Sequence, residues 1–96
     1  MKFDDVVADV TKRIREGRVL LSERIRAGKE RSISVGPYRT AAAPRQYAMC
    51  VLPALPEMDD CIVHGSADRV AREFVRLVGV AEARAAIARE SRKRAG

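Results

Sequence analysis

The chain reads as an α+β domain in the order α-β-β-β-α-α: a small, mostly antiparallel three-stranded sheet with helices packed on one face. Three observations carry that reading. Apolar residues recur at helical spacing over residues 1–30 and again over 66–96. Between them, residues 31–65 alternate at period two and are punctuated by Gly, Pro and Asp. The strands also lie too close in sequence for parallel crossovers, which leaves antiparallel pairing. Ninety-six residues suit a single domain, 1–96, made of a long amphipathic helix (1–30), the sheet (31–65) and a helix pair with a basic C-terminal tail (66–96).

The first helix rests on Phe3, Val7, Val10, Ile14, Leu21 and Ile25, which recur at steps of three, four or seven. Asp4 and Asp5 in its first turn, and Arg26, Lys29 and Arg31 around its last, complement the helix dipole. Gly17 marks the place for a kink. A second stripe carries Arg15, Arg18, Ser22, Arg26 and Lys29, and a third carries Asp9, Glu16, Glu23 and Glu30. Val19 and Leu20 fall outside the core stripe, so an unbroken helix turns at least one of them toward solvent or a partner.

Ser32-Ile33-Ser34-Val35 alternates and stops at Gly36-Pro37, as a short half-buried strand does. Gln46 to Leu52 is apolar on both sides of its pleat and reads as the central strand, which Pro53 and Pro56 end. Cys61 to His64 forms the third strand, with Asp59-Asp60 before it and Gly65-Ser66 after it. Ser66 is placed to cap the next helix, whose apolar face is Val70, Ala71, Phe74, Leu77 and Val78. Gly79 breaks it. The last helix, about Val80 to Arg92, is rich in Ala and ends in Arg92-Lys93-Arg94.

Composition bounds the rest. Val, Ile, Leu and Phe number 23, about 24% of the chain, and Trp is absent, so the core is thin and aliphatic. Nineteen Lys and Arg against 13 Asp and Glu give a net charge of +6, which favours anionic partners. Arg outnumbers Lys 15 to 4 beside 15 Ala, so GC-rich codon usage accounts for part of that excess. No apolar run approaches the roughly 18 residues of a membrane span, and the N-terminus turns acidic where a secretory signal turns apolar. The expectation is a cytoplasmic chain with reduced Cys50 and Cys61 and no membrane partner.

Chemistry-bearing constellations are sparse. One His and two Cys cannot supply the paired ligand spacing of a structural zinc site, so no metal is expected. Cys50 and Cys61 sit inside apolar strands, and no nucleophile, base and oxyanion set can be named, so no catalytic residue is expected. The six glycines are scattered and form no phosphate loop, so no cofactor is expected either. The basic rows are the stronger signal: Arg69, Arg72 and Arg76 stand at i, i+3 and i+7 on one helix, and Arg15, Arg18 and Arg26 on another. Such rows serve as a solvated face or as an anion track.

Phe74 through Arg89 resembles a helix-turn-helix DNA-binding motif, with Gly79 at the turn, Val78 and Val80 flanking it, Ala85 and Ala88 inward, and Arg84 and Arg89 outward. It departs from that motif at Val75, where a small Ala is usual, and at Ala85, where Ile or Val usually packs. The resemblance implies a DNA- or RNA-binding regulatory module, and this stands as the alternative reading. The leading expectation is a non-enzymatic protein that works by protein contact: an adaptor, regulator or inhibitor that forms a homodimer and docks on another protein. The apolar middle strand and the stray Val19 and Leu20 carry it, with Arg15, Arg18, Arg26, Arg69, Arg72 and Arg76 orienting a partner that has an acidic rim. Small proteins of mobile elements that block a host machine fit the same description.

Overall fold

Gly17 is where the expected long helix ends. In the computed structural model, which describes residues 2–23, 31–38, 42 and 45–95, the first helix, α1, spans Phe3–Arg15. Gly17 adopts φ +91°, its N–H reaches the Ile14 carbonyl (3.0 Å), and the Arg18 N–H reaches the Arg13 carbonyl (3.1 Å). This is a Schellman ending, which a glycine in the left-handed region makes inexpensive. The chain then enters a strand, β1 (Leu20–Ser22), so the 1–30 helix is corrected to a helix plus a strand. Arg26, Ile25 and Lys29 lie outside the described residues.

Among the described residues the sheet has four strands where three were expected. β1 pairs with β2 (Ser32–Pro37), β2 with β3 (Tyr47–Leu52) and β3 with β4 (Ile62–Gly65), all antiparallel, in the order β1-β2-β3-β4. The register stacks Leu20, Val35, Met49 and Val63 in one row across the sheet. α2 (Ala67–Val78) and α3 (Val80–Ala95) follow, with only Gly79 (φ +92°) between them. Ser66 makes no side-chain hydrogen bond to the α2 backbone.

The three helices of the described residues lie on one side of the sheet, α1 touching β2, α2 touching β3, and α3 touching β1. The core between them contains Val6, Val10 and Ile14 of α1, Val70, Phe74 and Val75 of α2, Ala83 and Ala86 of α3, and Leu20, Ile33, Val35, Met49 and Val51 of the sheet. Each large aliphatic side chain fully buried there contributes about 1.5–3 kcal/mol. Phe74 is the only aromatic residue fully buried among the described residues, as the thin-core expectation requires. Among the described residues no helix is long and apolar enough to cross a membrane.

Candidate protein-binding surface

Side chains alternate along each strand, so the register that sends Leu20, Val35 and Met49 inward sends their neighbours outward. The outer face carries Leu21, Ser34, Cys50 and Ile62 in one row, Gly36, Ala48 and His64 in the next, with Val19, Tyr38 and Leu52 around them. Val19 is 49% exposed, Leu21 54% and Leu52 52%, whereas Ala48 in the middle of the face is buried. None of these residues is Asp, Glu, Lys or Arg, in a chain that is 33% charged. Gly36 makes room on this face for Val19: a β carbon at Gly36 would stand 2.9 Å from Val19 Cγ2. Tyr38 and His64 meet edge to face, ring centres 5.0 Å apart, at one corner.

The two edges of the sheet are finished differently. At β1, the Arg89 guanidinium donates to the Leu21 carbonyl (2.9 Å) and to Glu82 (2.7 Å), and the Ser22 hydroxyl donates to the same Glu82 carboxylate (2.7 Å). Because α3 carries both Glu82 and Arg89, it occupies the side of β1 on which another strand would add. At the other end, β4 has no strand beyond it among the described residues. Beside it on the inner side lies a cavity of about 300 Å³ lined by Met49, Leu55, Met58, Val63 and Leu77, with Glu57, Glu73 and Arg76 at its rim.

The sequence-predicted partner residues are not one surface. Val19 is exposed on the outer face, whereas Leu20 is fully buried in the core and leaves the candidate set. Arg18 pairs with Glu16 and with Glu90 of α3, the latter also near Arg13. Arg72 lies over the Phe3 ring (5.6 Å) and beside Asp4 (3.4 Å), and Arg76 pairs with Glu73 (2.8 Å). Arg15 shares a groove between α1 and α2 with Lys12 and Arg72, and with Asp4, Glu16 and Asp68. That groove mixes signs evenly, unlike a phosphate track. Arg69 stands apart: its stem lies against Gly65 at the end of β4, and it makes no ion pair among the described residues.

In the segment that resembles a helix-turn-helix, Ala83, Ala86 and Ile87 are the buried residues of α3, while Ala85 and Ala88 are half-buried. The single residue between the helices is shorter than the usual three- or four-residue turn. Of the two outward arginines of the resemblance, Arg84 and Arg89, Arg89 is held by the Leu21 carbonyl and the Glu82 carboxylate.

Partial burial, and then the Asp60 carboxylate beside it, push the Cys61 thiol up, which lowers its thiolate fraction. Asp68 is held below the ordinary carboxylate range, chiefly by the Ser66 hydroxyl, with help from backbone N–H groups and from Arg15. No group of three or more His, Cys, Asp or Glu among the described residues is placed to hold a metal ion.

The outer face and the β4 cavity were only half legible. Residues 46–52, apolar on both sides, signalled an uncovered sheet face. Nothing in residues 55–58 announced that Leu55 and Met58 would close a cavity beside β4, because that depends on how the chain turns after Pro53. In comparisons with known proteins, no family model, no curated protein and no solved structure matches the chain.

Proposed function

We propose that this chain is a small non-enzymatic protein that works by protein contact, as an adaptor, regulator or inhibitor, and that it associates with a second copy through the outer face of its sheet. The outer face, whose rows hold no Asp, Glu, Lys or Arg, carries this reading: Val19, Leu21 and Leu52 are each about half exposed on it. Two such faces stack as sheets do in sandwiches, about 10 Å apart, and bury those side chains against each other. A face without Lys or Arg in its rows also lets two chains of net charge +6 approach without bringing those cations into contact.

Four strands spaced about 4.8 Å apart, two of six residues flanked by shorter ones of three and four, give a face on the order of 300 Å² in projection. That is below the roughly 800 Å² per partner of a standard interface, so the dimer is expected to form and dissociate with concentration. The test is the mass in solution of the wild type and of Leu21→Lys/Leu52→Lys. With rising concentration the wild type should exceed the mass of a single chain and the variant should not. A wild type that keeps the single-chain mass at all concentrations removes this reading.

The nucleic-acid alternative has less behind it. Arg18, Arg72, Arg76 and Arg89 are engaged by carboxylates of the same chain. The cations of the α1–α2 groove are matched by acids.

A further inference from the structure

We infer that the β4 edge takes up an extended segment of another protein as a fifth, antiparallel strand, with a large apolar side chain entering the adjacent cavity and a carboxylate two residues before it meeting Arg69. This rests on the protein-contact reading but uses a different surface.

The hydrogen-bond pattern gives the register. The Val51 N–H bonds to the Cys61 carbonyl at 2.8 Å, which makes Cys61, Val63 and Gly65 the positions whose backbone groups face β3. The N–H and C=O groups of Ile62 and His64 therefore point away from the sheet, along an edge with no further strand among the described residues. An added antiparallel strand would exchange hydrogen bonds with these two residues. Its residue opposite Val63 would form a non-hydrogen-bonded pair, the closer kind, with its side chain on the inner side. That is where Val63, Met49, Met58 and Leu77 line the cavity.

Size and charge choose the occupant. A cavity of about 150 Å³ holds a benzene molecule, so one of about 300 Å³ accepts a side chain of Leu to Phe size with room to adjust. A second copy paired across a two-fold at Val63 would offer only another Val. Four residues of edge, about 13 Å long, also fall far short of a stable contact between two globular copies, while they match a short extended segment. Arg69 supplies the third constraint. Its Cδ would be 3.0 Å from a β carbon at Gly65, so its cation stands on the inner side two residues along β4 from Val63. In an antiparallel segment, the residue opposite Gly65 precedes the one opposite Val63 by two. The preferred pattern is thus an acidic residue, any residue, then a large apolar residue.

The probe is a fluorescently labelled nine-residue peptide of alternating Thr and Val with Glu-Thr-Phe at its centre, measured by anisotropy against the full chain. Saturable binding is expected. It should weaken by about tenfold or more when the central Phe becomes Ala, and to a similar degree when the amide nitrogen of the Thr between Glu and Phe is methylated, since that amide faces β4. Arg69→Glu should weaken it comparably, and a peptide with Lys in place of Glu should recover binding to that variant. Leu21→Lys/Leu52→Lys should bind the peptide as the wild type does, so loss of the dimer and loss of the edge site are read separately. Absence of saturable binding, indifference to the Phe or to N-methylation, or failure of the charge swap would overturn the proposal.

Discussion

The two faces of the sheet are built from the same strands and differ by a single residue step. Leu20 is fully buried and Leu21 is 54% exposed, although the two are chemically identical neighbours. The inner side meets three helices and a core of branched aliphatics. The outer side repeats apolar chemistry where no described element covers it. Hydrophobicity alone therefore does not assign a residue to the core; the alternation of the strand and the position of the helices do. An apolar row left outside by that rule is a surface available to a partner.

Paired substitutions sharpen this contrast. Leu20→Ala should cost about 2–5 kcal/mol, enough to remove a large part of the stability of a domain this size, whereas Leu21→Ala should stay within about 0.5 kcal/mol. Thermal unfolding followed by circular dichroism checks both, and equal effects would break the assignment of faces. Glu82→Ala comes next. It strips the Ser22 hydroxyl and Arg89 of a shared acceptor at the β1 edge, at an expected cost of about 1–3 kcal/mol by denaturant titration.

Gly17→Ala distinguishes a broken helix from a continuous one by sign. At φ +91° an alanine is strained, and the variant should lose about 1 kcal/mol, although nothing obstructs the added methyl. In an unbroken helix the same change would stabilise by about 0.5–1 kcal/mol.

The smallest expected effect is electrostatic. Because Asp68 is held below its ordinary value in the folded state, its contribution is fully present above the unfolded carboxylate pKa of about 4. It is lost as pH falls through the lower folded value. Ser66→Ala removes the main cause, so the Asp68 titration followed by NMR should move up toward the ordinary carboxylate range.

Much of this architecture was legible in sequence, for physical reasons that also explain where the reading fails. Residues 32–35, 46–52 and 61–64 alternate or run apolar between turn residues, and the strands observed there shift by at most two residues at either end. The helices after Ser66 and Gly79 follow from apolar spacing. Residues 16–23 read as helix because Glu, Arg and Leu are good helix formers and the 3.6-residue period continues through Leu21 and Ile25. A glycine in the left-handed region overrides that period by closing the Schellman turn, and the strand pairing of Leu20 to Ser22 with β2 then fixes a period of two. The same shift exchanges the roles of Leu20 and Leu21. The arginine rows were visible as spacing, but spacing is silent on where Glu90, Asp4 and Glu82 fall in space. Those acids engage Arg18, Arg72 and Arg89.

The most direct test of the outer face as an interface is sedimentation equilibrium of the wild type across a range of concentrations at low and high salt. An apolar contact between two cationic chains predicts a mass rising above the 10.6 kDa of one chain toward twice that value. Association should strengthen with salt as the charges are screened. Leu21→Lys/Leu52→Lys should keep the single-chain mass under the same conditions. A wild type that stays monomeric throughout, or a variant that associates as the wild type does, would contradict the account.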